Sequence, residues 1–174
     1  MEEAQRCYQR VITIAPKDSR PHANLGALAA KRGALDESIA CHRKAVELNP
    51  EDPWLSFNLG DALEDAGDDE SAMQAYEAAI SLPNAKNNLA GLLEKNGDYD
   101  RAEALYAECC TQSPEDYDFA VNRACCARSR GSEDAEALFA DAAKLCERPY
   151  ACAFNIAELA AARGDIQTAL ARAK

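Results

Sequence analysis

Residues 21–33 read PHANLGALAAKRG, and residues 56–67 read SFNLGDALEDAG. The shared triplet, Asn24-Leu25-Gly26 in the first and Asn58-Leu59-Gly60 in the second, sets a distance of 34 residues. Extending outward from it, an asparagine recurs at Asn24, Asn58, Asn88, Asn122 and Asn155, in steps of 34, 30, 34 and 33. A glycine stands nine residues after each one, at Gly33, Gly67, Gly97, Gly131 and Gly164, in the same steps. Two markers that keep one irregular register are the signature of an internal repeat.

The residue types around the markers dictate local structure. A small residue follows each glycine at Ser38, Ala72, Ala102, Ala135 and Ala169, with Ala4 in the equivalent place of the opening segment. Four residues further on stands a larger side chain, at Tyr8, His42, Tyr76, Tyr106 and Phe139, with Ala173 as a weak last copy. Proline closes several units, at Pro16, Pro50, Pro114 and Pro149. The order is helix, glycine turn, helix, proline-containing turn: glycine adopts the positive φ that ends a helix, and a small residue lets two helices approach closely. A helix pair of this kind has an apolar face it cannot cover alone, so units must stack.

These units resemble tetratricopeptide repeats, whose pattern is W-x2-L-G-x2-Y, then A-x3-F, then P. Leu25-Gly26, Gly33 and Pro50 carry the resemblance in one unit, Leu59-Gly60, Ala72 and Tyr76 in the next, and Leu89-Ala90, Ala102, Tyr106 and Pro114 in the third. The fourth has Arg123 where leucine is expected. The resemblance implies an all-α, right-handed solenoid of antiparallel helix pairs: a half repeat at 1–18, repeats at 19–52, 53–82, 83–116 and 117–149, and an incomplete repeat at 150–174. Two deletions are legible. Gly131 to Ala135 is one residue shorter than its counterparts, and Leu82 to Asn88 is six residues where Leu48 to Asn58 is ten. The second deletion predicts a shortened first helix starting near Asn84, after Pro83.

Composition agrees with helices and restricts function. The 174 residues are 48% hydrophobic but only 6% aromatic, dominated by alanine and leucine with few β-branched side chains. A net charge of -11 opposes nucleic acid and anionic membranes at long range and favours basic or neutral partners. No apolar run reaches the eighteen or so residues of a membrane span, and the acidic start is unlike a secretory signal, so a cytoplasmic or nuclear location is expected. Cys7, Cys41, Cys109, Cys110, Cys125, Cys126, Cys146 and Cys152 form no C-x-x-C pair and lie far from His22 and His42, which reads as small reduced thiols rather than a metal or redox centre. Nucleotide-binding, zinc-protease and serine-hydrolase motifs are absent, so no enzyme activity, cofactor or metal is expected. The acidic run Asp61, Glu64, Asp65, Asp68, Asp69 and Glu70 lacks the alternation of a calcium loop and reads as a solvated helix end.

The asparagines are the functional candidates. In tetratricopeptide arrays the first helices line the concave surface, and the superhelical part of O-linked N-acetylglucosamine transferase, which this pattern resembles, uses such a ladder to hold peptide main chain. That implies peptide-binding roles for Asn24, Asn58, Asn88, Asn122 and Asn155. A carboxamide supplies a donor and an acceptor together, which suits a peptide backbone of any sequence. Trp54, Phe57 and Asp61 share a helix face with Asn58 by their three- and four-residue spacing, giving an apolar anchor with an acidic neighbour for a peptide bearing hydrophobic and basic residues. The clamp that holds the carboxylate terminus of heat-shock chaperones needs basic residues beside the asparagines, and Ala23, Phe57, Asn87, Val121 and Phe154 stand there instead. The expected function is a protein-interaction scaffold binding an extended peptide or partner along the concave groove, with further contacts at the uncapped solenoid ends. The alternatives are the substrate-recognition segment of a larger glycosyltransferase-like enzyme and a structural subunit of a large assembly.

Overall fold

The computed structural model describes residues 2–164; Ala169 and Ala173 lie outside them. Among the described residues every regular element is an α-helix: α1 (Glu2–Ile14), α2 (Arg20–Lys31), α3 (Leu35–Leu48), α4 (Pro53–Asp65), α5 (Asp69–Ala78), α6 (Pro83–Lys95), α7 (Tyr99–Gln112), α8 (Tyr117–Arg130), α9 (Ala135–Ala143) and α10 (Tyr150–Ala162). The chain divides into two compact units, Met1–Leu89 and Ala90–Lys174. In the first, α1 to α5 pack each on the next; in the second, α7 to α10 do the same. None of the described helices is long and apolar enough to cross a membrane.

Glycine ends the first helix of each pair as its spacing predicts. Gly33, Gly67, Gly97, Gly131 and Gly164 all have φ between 73° and 81°. That left-handed residue turns the next amide back onto the helix: the Asp68 N–H donates to the Leu63 carbonyl, Asp98 to Leu93 and Ser132 to Ala127, each at 2.9 Å. Carbonyls that the helix end would leave unpaired are thereby satisfied. An aspartate then starts the next helix, Asp68 accepting from the Ser71 N–H and Asp98 from the Arg101 N–H.

The small residues Ser38, Ala72, Ala102 and Ala135 are fully buried, and so are the rings four residues on, Tyr76 and Phe139 completely, His42 and Tyr106 nearly so. Two of the slots depend on a glycine two places after the asparagine, whereas Ala90 and Ala124 stand there in the other two. A Cβ built on Gly60 would lie 2.5 Å from the Tyr76 ring, and one on Gly26 would lie 2.6 Å from His42. In these two slots the ring therefore fills space that only a glycine leaves open. His42 is a poorer occupant than tyrosine: its Nδ1 has no hydrogen-bond partner and burial lowers its pKa. A depressed histidine pKa means the folded state resists the proton, so this slot loses stability as pH falls below the ordinary imidazole value. Arg123, in the leucine position of α8, likewise keeps its Nε buried and unpaired.

The shorter spacing before Asn88 is absorbed elsewhere than the sequence suggests. α6 begins at Pro83 and has 13 residues, as many as α4, so the first helix is not shortened. It is α5 that stops early, at 10 residues against 14 in α3 and α7. Ala79 to Leu82 then make a tight turn, with the Leu82 N–H on the Ala79 carbonyl at 2.9 Å. Proline at the first helical position gives up no amide that the helix needs, which fixes the start of α6. In the Gly131 turn, α9 starts four residues after the glycine rather than two and runs only 9 residues, with no side-chain bond from its N-cap Asp134.

The ring slot makes two opposite predictions for the same substitution. Gly60→Ala forces a methyl into the Tyr76 ring and should cost about 1–3 kcal/mol in urea unfolding. Gly91→Ala, whose Cβ would meet only the Tyr106 hydroxyl at 3.6 Å, should gain about 0.5–1 kcal/mol from helix propensity. Equal effects would show that the slot does not discriminate.

Candidate functional site

In the first unit Phe57, Asp61 and Asn88 converge on Tyr76. From α4, the Trp54 and Phe57 rings meet edge to face at 5.8 Å, and Phe57 packs obliquely on the Tyr76 ring at 5.9 Å. Trp54 is 52% exposed, whereas Phe57 is half-buried and Tyr76 fully buried. Beyond the ring, the Tyr76 hydroxyl lies 2.8 Å from Asp61 Oδ1 and 2.7 Å from Glu64 Oε2, one and two turns along the same α4 face. The Asn88 carboxamide reaches in from α6, its Nδ2 donating to Asp61 Oδ1 at 3.2 Å and to the phenol oxygen at 3.3 Å.

This surrounding sets the charge states. Burial, seconded by the nearby Glu64 and Asp65 carboxylates, pushes the Asp61 pKa above its ordinary value, against the hydrogen bonds from Tyr76 and Asn88. Burial and the bond to Glu64 carry the Tyr76 phenol far above its usual range, so it stays protonated and serves as a donor.

The five asparagines do not behave alike. Asn24 is exposed and Asn58 half-buried, and neither carboxamide has an intramolecular hydrogen bond among the described residues. Asn88 is committed to Asp61 and Tyr76. Asn155, in the second unit, is held between Arg128, whose guanidinium donates to its Oδ1, and the Ala151 carbonyl, which its Nδ2 reaches at 2.8 Å. Arg128 also pairs with Glu158 at 3.2 Å. Asn122 is half-buried and has a partner within the protein. Sequence reasoning named the asparagines but not the partners of Asn88 and Asn155, Tyr76 and Arg128, nor Glu64 beside Tyr76. The missing signal was positional: Asp61 and Glu64 stand three and six residues after Asn58, and Arg128 six after Asn122, where an i, i+3 spacing keeps side chains on one face.

The acidic run also splits by role. Asp68 caps α5, Asp61 and Glu64 face Tyr76, and Asp65 is exposed.

The thiols offer little chemistry. Cys109, Cys126 and Cys152 are buried, Cys41, Cys110, Cys125 and Cys146 half-buried, Cys7 exposed, and none of the eight is in a disulfide. Burial pushes Cys126 up to about 11 and raises Cys41, Cys110 and Cys125 as well, which keeps these sulfurs as thiols at neutral pH. Among the described residues no group of three or more His, Cys, Asp or Glu side chains is placed to hold a metal ion.

Three family models match: TPR repeat at residues 28–67, tetratricopeptide repeat at 55–86 and tetratricopeptide repeat at 83–124, together more than half of the chain. The chain is 36% identical over 107 residues to cellulose synthase 2 operon protein C of Komagataeibacter xylinus, covering 59% of this chain and 8% of that protein. It is 33% identical over 88 residues to the peroxisomal targeting signal receptor of Kluyveromyces lactis, covering 48% of this chain and 16% of the receptor. The chain thus spans a small part of these relatives. Among solved structures, YrrB, a TPR protein with an unusual peptide-binding site, superposes with a TM-score of 0.80 at 17% identity, over 95% of this chain and 88% of that one. At that identity the likeness is one of fold.

A raised carboxyl pKa makes a signed prediction. Asp61 holds its proton more tightly folded than unfolded, so its contribution is full below the ordinary aspartate value of about 3.9 and is lost as pH rises through the folded value. Asp61→Asn keeps an acceptor for Tyr76 and Asn88 without the charge. Its melting temperature should exceed the parent's at pH 7 and converge with it near pH 4; a lower value at pH 7 would contradict the assignment.

Proposed function

The chain belongs to the tetratricopeptide repeat family, and on that footing we propose that it is a non-enzymatic protein-interaction scaffold whose first helices receive an extended peptide or a segment of a partner protein. The observation that carries the reading is the half-exposed Trp54 against Phe57, which in turn packs on Tyr76 beside the carboxylates of Asp61 and Glu64. An apolar platform next to negative charge fits a ligand with a large apolar side chain followed closely by lysine or arginine. Peptide binding by YrrB, and a receptor for peroxisomal targeting signals among the relatives, support the same class of function.

Within this reading the asparagines have two kinds of work. Asn24 and Asn58 offer open carboxamides, able to accept from a peptide N–H and donate to its carbonyl. Asn88 acts through the wall of the first unit's site by holding Asp61 and Tyr76 in place, and Asn155 holds Arg128 within the second unit. First helices about 10 Å apart match roughly three residues of extended chain, so successive units can keep step with one peptide. The net charge of -11 adds a long-range pull on basic partners.

The test is selection of a displayed random-peptide library on the intact chain. Recovered sequences should pair an apolar or aromatic residue with a nearby lysine or arginine, bind more weakly as salt rises, and lose at least about tenfold in affinity, on the order of 1.4 kcal/mol, to the Trp54→Ala, Asn58→Ala double variant with helicity kept. The triple change of Asn58, Asn88 and Asn122 to alanine should do the same. No enrichment, or peptides indifferent to these changes, would overturn the proposal.

A further inference from the structure

Counting hydrogens around Tyr76 exposes a shortage. Three oxygens, Asp61 Oδ1, Glu64 Oε2 and the phenol oxygen, lie within 2.7–2.8 Å contacts that each need a hydrogen between them. The phenol has one hydrogen to give. The amide hydrogens of Asn88 point at Asp61 Oδ1 and the phenol oxygen, and none of the contacts made by Asn88 reaches Glu64. With both carboxylates ionised, one of the two short contacts would set a carboxylate oxygen against a phenol lone pair, next to a half-buried Asp61 and a fully buried ring.

One additional proton removes the conflict. A carboxylic acid at Asp61 donates to the phenol oxygen, and the phenol donates to Glu64. Every short contact then carries a hydrogen, as in carboxyl pairs that share a proton because both cannot ionise at close range.

The neighbouring charges favour this. α4 contributes Asp61, Glu64 and Asp65, all acidic, and on α5 the next residue is the exposed Glu77. Neither Arg43 nor Lys86 is among the charges that shift Asp61. Arg43 of α3 borders a groove with Ser56, Leu59 and Leu63, on the side of α4 opposite Asp61, and Lys86 of α6 is offset by two residues, more than half a turn, from Asn88.

We propose that the Asp61–Tyr76–Glu64 cluster holds one shared proton when the site is empty, and that a lysine or arginine side chain of the partner displaces it on binding. The idea rests on the peptide-binding reading above and adds its regulation. The exchange balances: the cluster's proton passes to solvent, both carboxylates ionise, and the ammonium or guanidinium supplies the missing N–H donors. Affinity for a basic peptide accordingly rises with pH up to the cluster's upper titration, by about tenfold per unit for one proton exchanged, and flattens above it.

Two measurements on the intact chain test this. The first needs no partner: the side-chain carboxyl carbons of Asp61 and Glu64 are followed by NMR across pH. A shared proton gives coupled titration of the two carboxyls, with the coupling lost in Tyr76→Phe; two independent steps near pH 4 in the parent would overturn it. The second is calorimetry at pH 5 in two buffers of different ionisation enthalpy, with an acetylated (Leu-Lys)5 peptide and its (Leu-Gln)5 counterpart. About one proton released by the lysine peptide, and none by that peptide on Glu64→Gln, supports the exchange, whereas binding without proton release overturns it. If neither peptide binds although the carboxyls titrate together, the peptide-binding reading fails and displacement with it, while the shared proton stands.

Discussion

A ring lying on a glycine is the contact on which the first unit depends. Gly60 leaves α4 bare where the Tyr76 ring of α5 must pass, and a single methyl there would overlap it. This contact draws the two helices of the pair together, while Ala72 lets the backbones close from the other side. It also sets the height of the phenol. With its ring seated in that slot, Tyr76 delivers its hydroxyl to the level of Asp61 and Glu64 and within reach of Asn88. The packing rule that builds the helix pair thus also builds the polar cluster.

The same rule explains why the copies differ. His42 takes the ring position over Gly26, but the places equivalent to Asp61 and Glu64 are Ala27 and Ala30, so the imidazole nitrogen finds no carboxylate and stays unpaired. Around Tyr106, Gly91 stands in the Asp61 place and Glu94 in the Glu64 place. In the repeat that follows Asn122 the ring is Phe139, with no hydroxyl, and Arg128 at the six-residue position turns to Asn155 and Glu158. One scaffold position therefore carries a neutral imidazole, two phenols in different polar company and a plain hydrocarbon ring. Chemical individuality lies in the residues three and six places past each asparagine, while the residues two and nine places past it keep the fold.

Much of this was legible in the sequence, because the fold rests on residues whose types are dictated one at a time. A glycine that must take positive φ and a small residue at a helix crossing admit few alternatives, so the register of Gly33 to Gly164 and of Ser38 to Ala135 reads directly as helix pairs. The short connection at Pro83 was misplaced because a deletion has no address in the sequence. Either flanking helix can absorb it, and proline's preference for the first helical turn decided for α6 and against the end of α5. For the site, the aromatic face of α4 followed from helical spacing alone, but the commitment of Asn88 and Asn155 did not. A carboxamide that binds a peptide and one that binds a neighbouring side chain look the same until the third helix of the cluster is in place.

The account stands or falls on whether the phenol seated over Gly60 is energetically bound to the carboxylates beside it. A double-mutant cycle on Tyr76→Phe and Glu64→Ala, read as unfolding free energy at pH 5, isolates that term from the packing of the ring, which phenylalanine preserves. The predicted outcome is a coupling of about 1 kcal/mol or more between the two changes. Additivity within about 0.5 kcal/mol would mean that the short contacts carry no interaction, and would contradict the account.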